Sequence, residues 1–328
     1  MQIRHNNAGS ALLMVLWLTA ALSAVGLAVA NNVRAETGRT ETNVDDARSY
    51  FVARGAIERA ALHMLWARQY VSQDGSPMYY INGSPAMELT FPAADVHVDV
   101  IPEDSKLSLN ASRPEDILRL LTALGTPENR ATEIAAAIAD WRAAVDPLHP
   151  SPFDAFYLSQ SPSFTARHAS FQENEELLLV KGMTSEIYYG NSLDGFSLDK
   201  ARAGLRDCLS VYGSPGAVDI NTAQPATLVA VGLAPTDADT IVRSRTQHPV
   251  LDFRDLNEIV QSIGPAGGRL SIGGQTIYTL RATARLRQAD GKLSDLRRTV
   301  GALVKFHFPG DKGTSEPGFE VLRWYDRT

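Results

Sequence analysis

The chain has 328 residues, 44% of them hydrophobic and 21% charged, with 31 basic against 37 acidic residues for a formal charge of -6. That is ordinary globular composition with room for about two compact units, and it excludes a disordered polypeptide and a general phosphate binder, which needs clustered Lys and Arg. One cysteine, Cys208, excludes an intramolecular disulfide and a four-cysteine zinc site, and reads as a small buried apolar side chain.

The first predicted element is apolar. From Ser10 the chain reads Ser-Ala-Leu-Leu-Met-Val-Leu-Trp, and the run continues without charge to about Ala30. As a helix, about 20 residues span roughly 30 Å, the thickness of a bilayer core. The run is longer than a secretory signal core, so it reads as a retained anchor, with cleavage between Gly9 and Ser10 ahead of it. Beyond it, Ala47, Tyr50, Phe51, Ile57, Ala61, Leu62 and Leu65 recur at three- and four-residue steps, with Arg48, Arg54, Glu58 and Arg59 on the flanks. No proline interrupts residues 10–76. The pattern predicts one long helix, transmembrane over 10–30 and amphipathic over 31–76.

A short leader ending in Gly9, a helix opening on Ser10 and a long amphipathic continuation resemble the type IV pilins and the type II secretion pseudopilins. Most members carry glutamate five residues into the mature helix, where this chain has Met14. The class that lacks it is the minor pseudopilin called general secretion pathway protein K (GspK). A carboxylate in the membrane costs about 2.5–3.5 kcal/mol on insertion scales, and it is tolerated when it meets a neighbour's amino terminus. A subunit with no neighbour above it does better without one. The resemblance implies removal of a prepilin leader, residues 1–9, by a prepilin peptidase, and methylation of the new amino terminus. It also implies a single-pass anchor in a bacterial inner membrane with the bulk of the chain in the periplasm.

Residues 77–109 predict the first strands of a sheet: Glu88-Leu89-Thr90-Phe91 and Val96-His97-Val98-Asp99-Val100-Ile101 alternate apolar and polar residues. His97 falls on the polar phase, facing solvent. The pattern then turns helical over 110–208. Ser112-Arg113-Pro114-Glu115 starts a helix, Ile117, Leu118, Leu120, Leu121 and Leu124 give it a face, Gly125 stops it, and a second helix runs from Ala131 to Trp141. Asp140-Trp141, Asp154-Ala155-Phe156-Tyr157 and Glu176 to Met183 are similar to the GspK family's motifs. They imply a large α-helical domain inserted into the pilin-type sheet. Some relatives bind calcium there, which makes Asp140, Asp146 and Asp154 the candidate metal ligands, since that ion wants clustered hard oxygens. Ala143 and Phe153 stand where the family usually has acids, so these three are expected as solvated loop acids.

Residues 209–268 echo the insertion. Val218-Asp219-Ile220-Asn221-Thr222-Ala223 repeats the phrasing of Leu107-Ser108-Leu109-Asn110-Ala111, and each is followed by a proline, a short apolar helix and a glycine. Alone, the second copy resembles a helix-hairpin-helix module, and a membrane-anchored DNA-binding or DNA-uptake protein is the alternative reading. Against it, Asp219 to Ser262 hold more acids than bases, and Gly232-Leu233-Ala234 lacks the second glycine that brings backbone close to a phosphate. Residues 269–328 supply the closing strands around an Asp290-Gly291 turn signal. No nucleotide-binding loop and no paired nucleophile and base are present, so no enzyme and no nucleic-acid partner are expected. The reading is an α+β protein: a pilin-like long N-terminal helix packed on an antiparallel sheet, carrying a large inserted α-helical domain. The resemblance implies a place at the pseudopilus tip, with other minor pseudopilins as partners.

Overall fold

The computed structural model describes residues 8–67, 70–73, 75–145, 150–190, 203–288, 290–308 and 316–326, with backbone alone for 8–10. Helix α1 (Ala8–Trp66) runs for 59 residues, about 88 Å at 1.5 Å per residue. It stops ten residues before the predicted end. Absence of proline does not sustain the helix beyond Trp66, and Ser72, Gly75 and Ser76 are residue types that favour turns. Gly75 takes φ +83 there, and Val71 pairs with Pro77 across the turn.

The sheet follows in two instalments. Strands β1 (Ala86–Phe91) and β2 (Ala94–Pro102) form an antiparallel hairpin. The chain then builds the head: β3 (Leu107–Ser108), α2 (Pro114–Ala123), α3 (Glu128–Arg142), α4 (Asp154–Leu158), α5 (Ser185–Tyr189), β4 (Leu209–Ser210), β5 (Val218–Asp219), α6 (Pro225–Ala230), α7 (Pro235–Gln247), α8 (Phe253–Ile263) and β6 (Leu270–Ser271). It returns through β7 (Ile277–Leu286), β8 (Arg298–His307) and β9 (Gly318–Tyr325). The five-stranded order is β1-β2-β7-β8-β9, every pair antiparallel. Because β2 and β7 are neighbours, with Pro102 opposite Tyr278, the whole head occupies the place of a hairpin turn.

Two cores result. One lies between α1 and the sheet, where Ala53, Ala56, Ile57, Ala60 and Ala61 meet Val96, Val98, Leu280, Ala282, Val300 and Val304. The predicted stripe on α1 is partly displaced: Ile57, Ala61 and Leu65 are buried, whereas Phe51 is 67% exposed and Leu62 37%. Alanines won the inner face because they let the helix approach the sheet along a greater length, and close packing outweighs the size of any one side chain. The second core is continuous through the head, from Leu107 and Ile134 to Leu228, Ile241 and Leu256. Residues 110–208 and 209–268 therefore do not pack as two separate modules, because α2 and α6 bury their apolar faces against each other.

Candidate functional site

The anchor comes first in the chain. From Ala11 to Val44 every residue of α1 is exposed, including Leu12, Leu13, Trp17, Leu22 and Leu27. An 18-residue window here reaches a mean hydropathy of 2.3 with no residue buried by the rest of the chain. Water does not tolerate such a surface, and a bilayer core or a sheath of other helices does. Gly9 and Ser10 fall in the first turns of this helix. Met14 projects outward at 71% exposure, and the first turn carries no acid.

Four contacts fix where α1 meets the sheet. Arg54 lies over the Trp324 ring at 4.6 Å, Tyr50 Oη donates to Asp326 at 3.2 Å, Arg298 pairs with Asp46 at 3.5 Å, and Arg59 Nη1 donates to the Thr90 carbonyl at 3.2 Å. The sheet therefore grips the helix from β1, β8 and the end of β9, starting just beyond Val44 where the exposed part of the helix ends.

The joint between sheet and head is built from buried polar groups that periodicity does not reveal. Glu103, 2% exposed, accepts from Lys106 Nζ at 2.9 Å and Thr279 Oγ1 at 2.6 Å. Burial opposes its charge, but Lys106 and the hydroxyls of Ser210 and Thr279 outweigh that and hold its pKa below the usual carboxylate value. Asp219 accepts from Thr222 N at 2.9 Å and Gly273 N at 2.7 Å, yet burial dominates and raises its pKa. Asn221 donates to the carbonyls of Gly83 at 3.0 Å and Val250 at 2.7 Å and accepts from Val250 N at 2.8 Å, so one amide ties the pre-sheet loop to the head. Gly83, at φ +87, admits no side chain, since a Cβ would lie 2.6 Å from Ile272 Cγ2. Outside the joint, Arg323 of β9 pairs with Glu175 at 3.3 Å and Glu173 at 3.6 Å.

The sequence echo is a structural one. Asn110 makes the same clamp as Asn221, accepting from Phe171 N at 2.7 Å and donating to Phe171 O at 3.0 Å. Arg142 donates to Leu109 O at 2.9 Å, as Arg245 does to Ile220 O at 2.7 Å. Each unit opens on a two-residue parallel ladder, β3 with β4 and β5 with β6. The repeated asparagine was visible in the sequence. Its partners, 61 and 29 residues away, were not.

The motif residues turn out to be architecture. Trp141 is 3% exposed, edge-on to Tyr157 with centroids 5.3 Å apart and stacked on Phe171 at 5.9 Å. Glu176 accepts from the backbone N–H groups of Gln172 and Glu173, closing the turn ahead of it. The Gly182 carbonyl takes two bonds from Arg130, at 3.2 and 3.1 Å. Of the candidate metal ligands, Asp146 lies outside the described residues. Asp140 accepts from Ser151 Oγ at 2.6 Å, and Asp154 meets His168 Nε2 at 3.0 Å. Each of these two carboxylates has a protein partner on one oxygen, and calcium takes six to eight oxygens. Among the described residues no three His, Cys, Asp or Glu gather to hold a metal. Cys208 is fully buried beside Thr227, and burial pushes its thiol up to about 12, which leaves it an inert packing residue at neutral pH.

The α6–α7 hairpin turns at Gly232 with φ +111, and the solvent side of α7 and α8 carries Asp239, Asp252, Asp255 and Glu258. Such a surface repels phosphate.

Comparison with known proteins places these features. Residues 101–190 match the family model for type II secretion system protein K. The type II secretion system protein K of Klebsiella pneumoniae is 26% identical over 203 residues, covering 57% of this chain and 61% of the relative; the match thus spans about three fifths of that protein's length. A chain of the crystal structure of the GspK-GspI-GspJ complex from the enterotoxigenic Escherichia coli type II secretion system shares the fold, with a TM-score of 0.54 at 16% identity, over 88% of this chain and 99% of the other. The family matched is a component of a secretion apparatus. Residues 101–190 match the protein K family of type II secretion, and the chain around them, with its long apolar-fronted helix, antiparallel sheet and helical head, is similar to the Klebsiella pneumoniae protein in sequence and to the Escherichia coli chain in fold.

Proposed function

We propose that this chain is a minor pseudopilin of a type II secretion system, held in the inner membrane by residues 10–30, with its sheet and head in the periplasm, at the tip of the pseudopilus. A prepilin peptidase cuts between Gly9 and Ser10, and the new amino terminus is methylated. The partners are other minor pseudopilins; the assembly of the related Escherichia coli protein with GspI and GspJ supports this. The observation that carries the reading is α1 itself: a front half with apolar side chains and nothing of its own chain against it, continuing without a break into a rear half buried on a sheet. Two physical arguments favour the tip. Met14 offers no carboxylate to a neighbour's amino terminus, and the head is too bulky to repeat along a tightly wound filament.

Mass spectrometry of the membrane-extracted protein tests the reading. A mature chain beginning at a methylated Ser10 is expected. An intact Met1, or a start near Ala30, overturns it.

A further inference from the structure

The strands turn a polar face away from α1, and on it every charged side chain but one has a partner among the described residues. Asp95 pairs with Arg287 at 2.7 Å, Glu88 and Asp99 flank His97, and Glu320 meets His307 at 3.4 Å and Lys305 at 3.9 Å. The exception is Arg281, midway along β7. Its neighbours Leu280 and Ala282 face the core against α1, so its side chain stands on the outer face, opposite Asp99 of β2 and Gly301 of β8. Its Nε is buried without a partner, and its guanidinium makes no hydrogen bond, ion pair or ring contact with any described residue. Asp99 turns instead to His97 Nε2 at 3.2 Å, and Gly301 offers no side chain.

The rest of the chain does not treat its arginines this way. Every other half-buried arginine among the described residues is engaged: Arg54 with the Trp324 ring, Arg269 and Arg298 with a carboxylate, and Arg130, Arg142, Arg245 and Arg285 with a backbone carbonyl. A half-buried guanidinium without an acceptor is charge partly removed from water with no compensation, which a carboxylate at its open terminal nitrogens supplies. We infer that Arg281 docks such a carboxylate from outside, an Asp or Glu on an extended acidic segment of a partner protein that lies across the outer face of the sheet. Arg285, four residues on along the same face, adds to the attraction. The Thr283 and Thr299 hydroxyls, 2.9 Å apart on that face, can bond the segment's backbone. Lipid headgroups do not reach the site. Tyr325, next to Gly301 on β9, adjoins Asp326, which meets Tyr50, and Tyr50 lies about 30 Å along α1 from Ala30.

The probe is a fluorescein-labelled peptide that alternates threonine with three glutamates, titrated by anisotropy into the full chain in an uncharged detergent, with glutamines for glutamates in the control. Saturable binding is expected, about tenfold or more tighter than the control, weakened by salt and lost about tenfold in Arg281→Gln. The control peptide needs no protein variant, so a folding defect cannot mimic its result. Arg281→Lys then locates the site, because a carbodiimide joins an amine, unlike a guanidinium, to a neighbouring carboxylate. Lys181 and Glu133, 3.0 Å apart, couple in the same sample and show that the reagent has worked. Mass spectrometry should find a peptide glutamate bonded at position 281. No saturable binding at millimolar peptide, equal affinity for both peptides, binding untouched by Arg281→Gln, or coupling of position 281 to this chain's own Asp99 alone would each overturn the inference.

Discussion

Asn221 is the residue on which the joint most depends. It is 5% exposed, and its amide satisfies two carbonyls and one N–H drawn from segments far apart in the chain. Truncation leaves those backbone groups buried without partners, each costing roughly 1–3 kcal/mol. Asn221→Ala should therefore destabilise the protein by about 2–4 kcal/mol, read as a fall in denaturant midpoint. Asn110→Ala, which loses bonds to one residue only, should cost less. His97 makes a different prediction. It stands on the outer sheet face between Glu88 and Asp99, and although burial opposes its charge, those two acids outweigh that and raise its pKa above 6.5. A raised folded value means stability that is fully present below about pH 6.5 and is lost as pH rises through the folded pKa. Since the His97 and Glu88 side chains are 47% and 75% exposed, the gain is under about 1 kcal/mol. Melting curves from pH 5.5 to 8 should show that slope in the parent and its absence in His97→Gln.

Among elements, α1 separates what sequence can say from what packing decides. Its existence, its apolar front and its single unbroken course were legible, because a long charge-free run and a three-to-four periodicity with no proline between them favour one helix over an anchor and a separate packed helix. The phase of its rear half was not. Phe51 and Leu62 advertise a stripe by size, yet the inner face belongs to Ala53, Ala56, Ala60 and Ala61, and small residues carry no sequence signal of their own. The correction is testable: Ile57→Ala should cost about 2–4 kcal/mol by opening a cavity against the sheet, whereas Phe51→Ala should change stability by about 0.5 kcal/mol or less, both by thermal unfolding. Short elements were illegible for another reason. Ladders of two residues, such as β3 with β4, have no period to detect, and their parallel pairing depends on partners a hundred residues away.

For the whole molecule, the motifs between Asp140 and Met183 named the family correctly, and the structure assigns them mainly to holding the head together. Trp141 and Tyr157 are core residues and Gly182, at φ +83, is a turn residue. Asp140 and Asp154 each engage one oxygen with a protein partner, Ser151 and His168. Treating the purified protein with a chelator should leave its melting temperature unchanged; a fall of several degrees, restored by added calcium, would show that the acids are ligands after all. Buried charges such as Glu103 and Asp219 escaped the sequence because strand and helix periodicity predict where apolar residues go, and say nothing of a carboxylate that folding encloses with its donors.

The return of the chain through β7, beside β2, has a mechanical meaning. A head grafted at a hairpin is held by two adjacent strands at one end of the sheet, so a load along α1 reaches it through that narrow neck and the bonds that brace it. Glu103 with Thr279, Asp219 with Gly273 and Asn221 with Gly83 act as struts there, and Arg323 with Glu173 and Glu175 acts as a stay from the opposite edge. A head carried on so narrow a neck needs stiffness there, and in this protein that stiffness resides in a few buried polar side chains.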